Sequence, residues 1–274
     1  MNVLSNHSNE LKASEAFTKQ SKIFDQLYKE DSIIQYKRQR VREHILQYAR
    51  TKDFMLELNC GTGEDAVFFA RHGCKVHATD ISEGMLNELK KKVDHGFLND
   101  SVSVEQISFT DLGHLQVDQQ FDYVYSNFGG LNCTDQVGKI LLSLNEVVKP
   151  GGVVTLVIIS KFCLWEIILL FKGKFKTAFR RFFSGRGRKA HVEGSFFKCW
   201  YYSPSFIKKH LEPEFEFLSL EGLCTIVPPS YIENFAVKYP KVFGFLARQE
   251  NKLKAQWPWN RIGDYFIISF RKKY

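Results

Sequence analysis

Phe54-Met-Leu-Glu-Leu-Asn-Cys-Gly-Thr-Gly-Glu-Asp65 is the stretch on which the fold turns. Its first five residues read as a short apolar strand that carries an acid, Glu57, near its end. The strand breaks into Cys60-Gly61-Thr62-Gly63, and a helical pattern follows at once through Ala66, Val67, Phe68, Phe69 and Ala70. Strand, glycine turn and helix form a loop whose backbone can come close to a ligand, because glycine has no Cβ to block the approach. The helix beyond it begins with free N–H groups.

By itself the turn is ambiguous. Gly61-x-Gly63-x-x-Ala66 fits the dinucleotide fingerprint, and it also fits a plain structural βα turn. Glu57 separates the ligands. A carboxylate four residues before the first glycine would lie beside a dinucleotide pyrophosphate and repel it. It suits a cationic ligand, such as an amino-acid ammonium or a sulfonium.

With these residues the stretch resembles motif I of the class I S-adenosylmethionine-dependent methyltransferases, E/D-x-x-x-G-x-G. Asn59 is a departure, since many members have Gly there. Further along, Val147-x-Lys149-Pro-Gly-Gly152 resembles a widespread signature of the same family. The arrangement Ser126-Asn-Phe-Gly-Gly-Leu-Asn-Cys133, Cys163-Leu-Trp-Glu166, Tyr201-Tyr-Ser203, Pro228-Pro-Ser-Tyr231 and Gly263-Asp264 is similar to a bacterial subgroup, of methyltransferase type 11/25. The resemblance runs from about Phe17 to Arg271 and is most specific between Glu57 and Gly152.

The resemblance implies an α/β fold: a Rossmann-like seven-stranded, mostly parallel sheet with an antiparallel last strand, N-terminal helices, and helical, aromatic insertions after strands five and six. It divides the chain into a helical cap (1–50), an S-adenosylmethionine-binding core (51–160), a basic aromatic insertion over the acceptor (161–202), and the C-terminal part of the sheet (203–274) with an insertion at 224–262. It also implies roles. Gly61, Gly63, Glu57 and Asn59 form the cofactor turn. Phe24-Asp25-x-x-Tyr28 fits a family pattern in which the tyrosine closes over the methionine end, although Phe24 and Tyr28 equally suit helix packing. Asp111 and Leu112 match in spacing a loop near the adenine amino group, where a solvated acid is the plain alternative. The tip of the fourth strand, Asn127, faces the transferable methyl.

Asp80 follows Gly63 by seventeen residues and ends the second strand, Lys75 to Thr79. There it can accept hydrogen bonds from ribose hydroxyls. Ser82 is a good N-cap for the next helix, with Ile81 and Met85 placed to pack on adenine. A third strand is expected at Val102–Ile107, a fourth at Phe121–Asn127, a fifth at Val153–Ile159, a sixth at Glu214–Leu223 and a last at Gly263–Arg271. Residues 1–12 are polar and expected to fray, and two helices fill Glu15 to Ala49.

The chain has 274 residues and a net charge of +8. Lys172 to Lys189 holds eight basic residues and no acidic one, so the excess is a local patch. Within it Phe175, Phe179, Phe182 and Phe183 interleave with Lys174, Lys176, Arg180 and Arg181. As a helix this would show an aromatic and a cationic face. Three readings stand: a cap with a solvated basic side, a peripheral contact with an anionic membrane giving access to a lipophilic acceptor, or nucleic acid, for which no accompanying module is seen. The six cysteines are scattered without a C-x-x-C pair, as in a reduced cytosolic protein. The N-terminus lacks the basic start and apolar core of a signal peptide, which points to a cytoplasmic protein, peripheral at the inner membrane face on the membrane reading. No Cys or His pairs lie at zinc-ligand spacing.

Methyl transfer from a sulfonium is an in-line displacement in which the protein mainly orients two reactants. An already nucleophilic acceptor needs no dedicated base, whereas a hydroxyl does. His191 and Asn127 are the catalytic candidates, with an exposed loop histidine the bland reading of the former. The expected function is methyl transfer to a small-molecule or lipid acceptor. A NAD-dependent oxidoreductase and a non-catalytic cofactor-binding subunit are the alternatives.

Overall fold

The computed structural model describes residues 3–173 and 175–274, without the side chains of residues 3–7, 172, 176 and 177. Two helices lead in, α1 (Val3–Lys29) and α2 (Ser32–Ile45). Asp31 caps α2, its Oδ1 accepting from the N–H groups of Ile33 and Ile34. Then come β1 (Phe54–Leu58), α3 (Glu64–Arg71), β2 (Lys75–Asp80), α4 (Glu83–His95), β3 (Val102–Gln106), β4 (Phe121–Ser126), α5 (Val137–Val147) and β5 (Val148–Ile159). The remainder is α6 (Leu164–Ile168), α7 (Phe175–Phe179), a hairpin of β6 (Arg188–Val192) and β7 (Ser195–Cys199), α8 (Pro204–Leu211), β8 (Phe215–Leu223), α9 (Phe235–Lys238), α10 (Pro240–Leu253) and β9 (Tyr265–Lys272).

Seven strands form one sheet in the order β3-β2-β1-β4-β5-β9-β8. Pairing is parallel from β3 to β5, and β9 lies antiparallel between β5 and β8. This is the expected α/β sheet with its antiparallel last strand. The central strands are buried on both faces, so they read as apolar runs (Met55, Leu56 and Leu58; Val154, Leu156 and Ile158). The chain moves outward from β1 through β2 to β3, then crosses to β4 on the other side. The crevice between β1 and β4 at the carboxyl ends of the strands is therefore the topological switch point, where open α/β sheets bind ligands.

Three segments depart from expectation. The N-terminal helix already runs from Val3, where fraying through residue 12 was expected. Its buried face, Glu10, Ala13, Ala16 and Gln20, is partly polar and resembles a solvated surface in sequence. Leu27, which shares one helical face with Phe17, Phe24 and Tyr28 by sequence periodicity and would pack with them, is 50% exposed.

The expected long helix over Lys172–Phe183 is a 3-10 turn (Leu169–Lys172) followed by the short α7. Lys174 lies outside the described residues, as do the side chains of Lys172 and Lys176. Arg181 is among the largest fully buried side chains, and Phe171, Phe175 and Phe183 are exposed. The basic side is therefore not one cationic face. Ser184-Gly-Arg-Gly-Arg-Lys189 reads in sequence as a flexible basic loop, but it ends in strand: Arg188 and Lys189 open β6, which pairs with β7.

Candidate cofactor and acceptor site

The turn after β1 is built on left-handed backbone. Asn59 has φ 50°, Gly61 φ 56° and Gly63 φ 73°. Asparagine is among the few side chains that tolerate this region, which explains how a residue other than Gly can stand there. Gly63 has a second constraint, since a Cβ there would lie 2.0 Å from Leu89 Cδ1. Asp80 holds the turn from β2. Its Oδ2 accepts from Gly61 N–H at 2.9 Å and its Oδ1 from Ser82 N–H at 2.8 Å. Burial pushes the Asp80 carboxyl up, against the opposing pull of the backbone N–H groups of Ser82, Gly61 and Ile81.

Helix α1 closes the crevice from above. Ser14 Oγ donates to Ile81 O at 3.3 Å, and the hydroxyls of Thr18 and Ser82 meet at 2.7 Å. Thr62 in the turn donates to Asp25 at 2.6 Å, and Asn9 Nδ2 donates to Cys133 O at 2.7 Å. The cavity beneath α1, partly open to solvent, has a volume of about 330 Å³. Of the residues singled out in the sequence, Tyr28, Glu57, Asn59, Gly61, Asp80, Ile81, Met85 and Asn127 line it. Gly63, Asp111, Leu112 and His191 do not. Gly63 is turned to α4, and Leu112 is in the main hydrophobic core. Asp111 immediately precedes a 3-10 turn beside that core and makes no side-chain capping bond to it. His191 lies exposed on β6, its ring 4.6 Å from that of Phe196.

Lining residues that sequence reasoning missed come from the cap and from segments that follow or precede the strands. Glu10 is 3% exposed. Its Oε2 accepts from Ser108 Oγ at 2.7 Å and Thr110 Oγ1 at 3.3 Å, and its Oε1 has no partner. Lys37, Arg38, Asp65, Phe109, Phe128, Ser230 and Tyr265 complete the walls that matter below.

The acids at the centre are unequal. Both Asp65 oxygens are engaged, Oδ1 by Arg42 Nε and Oδ2 by Asn127 Nδ2, each at 2.7 Å. Glu57, 2% exposed, keeps Oε2 without a partner. Burial, then the nearby Asp65, raises its carboxyl well above the ordinary range. Such a group gains most from a cation delivered beside it.

Residues 55–152 match the family model described as a methyltransferase domain. That stretch is a class I S-adenosylmethionine-dependent methyltransferase domain. A protein of Methanocaldococcus jannaschii without an assigned function is 25% identical over 89% of this methyltransferase and 93% of its own length. The ubiquinone/menaquinone biosynthesis C-methyltransferase of Proteus mirabilis is 35% identical over 38% of the chain and 41% of its own length. The demethylmenaquinone methyltransferase of Staphylococcus aureus is 28% identical over 54% and 61%. The chain thus spans less than two thirds of those two named relatives. Among solved structures, the 1,6-didemethyltoxoflavin N1-methyltransferase of Burkholderia thailandensis superposes over 100% of this chain and 93% of its own, with TM-score 0.58 at 13% identity. Magnesium protoporphyrin IX methyltransferase of Synechocystis does so over 97% and 100%, with TM-score 0.59 at 13% identity. At these identities the structures share the fold.

The residues of this methyltransferase fit S-adenosylmethionine. The free Glu57 oxygen suits the ammonium, and Arg38 lies beside Glu57 and over the Phe128 ring at 5.3 Å, placed for the carboxylate. Asp80 suits the ribose. Ile81, Met85 and Phe109 offer an apolar slot for the adenine, and the free Glu10 oxygen is an acceptor for its amine.

A second polar cluster lies outside the cavity. Cys163, Glu166 and Asp264 bring potential metal-ligand atoms within 4.8 Å of one another. Arg181 already fills the role of their cation. Its Nε donates to Glu166 at 2.8 Å, its Nη1 to the carbonyls of Ser160 and Asp264 at 2.9 Å, and its Nη2 to Asp264 at 2.5 Å.

Proposed function

We propose that this methyltransferase acts on a small organic acceptor with an apolar body, received at the end of the cavity bounded by Tyr28, Ile34, Phe128 and Tyr265. The observation that carries this reading is the clustering of those apolar and aromatic side chains at one end of the cavity, next to α1 and α2. A cavity of about 330 Å³ with such a lining is on the scale of small-molecule sites. Two relatives named for quinone methylation lend support, their acceptors being lipophilic.

S-adenosylmethionine supplies the methyl group on a sulfonium, ready for in-line displacement. The chain's residues then bind and orient. Asp80 fixes the ribose at the end of β2, and Glu57 and Arg38 hold the two charges of the amino-acid end. Asn127, pinned by Asp65, shapes the tip of β4 beside the acceptor. The aromatic side chains exclude water from the transfer path.

The test is methyl transfer from labelled S-adenosylmethionine to a panel of quinols, phenols and medium-chain acids, alongside titration with S-adenosylhomocysteine. Wild type is expected to bind S-adenosylhomocysteine and to methylate at least one small acceptor, and Asp80→Ala to abolish both. Intact cofactor binding in Asp80→Ala would overturn the site assignment. Activity confined to protein or nucleic acid would overturn the acceptor class.

A further inference from the structure

The four basic residues on one stretch of α2 are treated differently. Arg40 is paired with Glu221 at 3.0 Å and Glu250 at 3.4 Å, and Arg42 with Asp65 at 2.7 Å. Arg38 has only Glu64, at 3.7 Å. Lys37, 3% exposed, has no carboxylate within 4.0 Å among the described residues. Its single polar contact there is a long hydrogen bond, 3.3 Å, from Nζ to Ser230 Oγ. The ammonium otherwise lies over two rings, 4.9 Å from the centroid of Tyr265 and 5.7 Å from that of Phe128.

An ammonium has three donors and is costly to bury without an anion. Here one donor has a weak partner, and the group lines the cavity. Cation–π contact with two rings lessens the burial penalty without satisfying the remaining N–H groups.

Sheet order places this group away from the cofactor's nucleoside. Asp80 ends β2, one strand from β1, and Tyr265 begins β9, three strands from β1 on the other side. Four strand spacings separate them, about 19 Å. An adenosine held at Asp80 and Glu10 therefore leaves Lys37 beyond the methionine end, at the acceptor's position.

We infer that the acceptor carries an anionic group, a carboxylate or a phosphate, and that Lys37 is the specificity-determining residue that receives it, with Ser230 as a neutral second donor. This rests on the methyltransferase reading above. The acceptor's apolar body then lies along Phe128 and Tyr265, and its charge is neutralised where water is excluded. The arrangement selects against neutral analogues, which would leave the ammonium unpaired.

The experiment uses full-length protein saturated with S-adenosylhomocysteine, titrated with benzoate, decanoate and phenyl phosphate, and with the uncharged benzamide and decanamide. The anions are expected to bind at least roughly tenfold tighter than the matched amides. Lys37→Met is expected to lose roughly thirtyfold or more in anion affinity, Ser230→Ala roughly three- to tenfold, and both to keep wild-type affinity for S-adenosylhomocysteine. Carboxylates binding without phenyl phosphate, or the reverse, would say which anion is meant. Anions and amides binding alike in wild type would overturn the inference without recourse to any variant. Loss of S-adenosylhomocysteine affinity in Lys37→Met would also overturn it, by assigning Lys37 to the cofactor. Failure of wild type to bind S-adenosylhomocysteine would instead sink the underlying reading.

Discussion

Asn59 and Asn127 are joined across the switch point: Asn59 Nδ2 donates to the Asn127 carbonyl at 3.0 Å. The other end of the same amide, Asn59 Oδ1, accepts from Ser126 Oγ at 2.6 Å. One side chain on the β1 turn thus fixes the tip of β4, and its own φ of 50° makes Asn a suitable choice. Asn59→Ala removes both hydrogen bonds and forces a Cβ without local polar support into the left-handed region, at a combined cost of about 2–4 kcal/mol. Asn59→Gly relieves the backbone and loses only the bonds, about 1–2 kcal/mol. Urea unfolding is expected to rank wild type above Gly above Ala, and an Ala variant as stable as Gly would contradict the strain account.

Glu57 links cofactor binding to pH. Burial raises its carboxyl, so in the free protein the charged form weighs against the fold. This contribution to stability is fully present below the unfolded value, near 4.5, and is lost as pH rises through the raised folded value. A bound ammonium favours the carboxylate and reverses the shift. Cofactor affinity should therefore fall as pH drops through the raised value, by up to about tenfold per pH unit. Glu57→Gln is expected to flatten that profile, to bind S-adenosylmethionine and S-adenosylhomocysteine each about 10–100-fold more weakly, and to leave the free protein at pH 8 at least as thermally stable as wild type. Equal losses for the two ligands assign the contact to the ammonium, and a loss for S-adenosylmethionine alone would move it to the sulfonium.

The parts of the site legible in sequence are those whose partners are close by. Glu57, the glycine turn and Asp80 sit on one βαβ unit, where strand period and glycine spacing place them without further information. The parts that were not legible meet across long separations. Glu10 reaches Ser108, 98 residues on, and Lys37 reaches Ser230 after 193. In sequence these are polar residues on helices, which look like solvated faces. The basic insertion misled for the same reason in reverse. Arg180 and Arg181 look like a cationic surface until the fold brings Glu166 and Asp264 to them. Asp111, singled out by spacing alone, is not among the residues that line the cavity, whereas Glu10 from α1 is.

Glu250 organises the loop that leads to Ser230. Its Oε1 accepts from Cys224 N–H at 2.9 Å, and its Oε2 from the N–H groups of Thr225, Ile226 and Val227 at 2.9, 2.8 and 2.9 Å. This loop leads straight to Pro228 and Ser230. Glu250→Gln sets an NH2 group among N–H donors in a site that is 0% exposed, which costs about 3–5 kcal/mol. Chemical denaturation is expected to show that loss. At a temperature where the variant is still folded, acceptor KM should rise while S-adenosylhomocysteine affinity holds. Weakened cofactor binding with unchanged KM would mean that the loop does not shape the acceptor end.

Arg181 fastens the insertion after β5 to the sheet. It spans Glu166 on α6, the Ser160 carbonyl at the end of β5, and Asp264 just before β9. Opposing burial, its carboxylate partners hold it protonated at any working pH. Arg181→Met leaves Glu166, 1% exposed, and Asp264, 6% exposed, short of their buried counterion, although Arg180 still donates to Glu166. The expected loss is about 3–5 kcal/mol. Arg181→Lys keeps the charge but cannot reproduce the planar fork that serves two carboxylates and two carbonyls, so it should recover only part of that loss. Because the cavity is built from α1, α2 and the sheet rather than from α6 and α7, S-adenosylhomocysteine affinity of either folded variant is expected to match wild type. Thermal unfolding followed by ligand titration separates the two effects, and a Met variant with wild-type stability would show that the cluster is not what holds the insertion down.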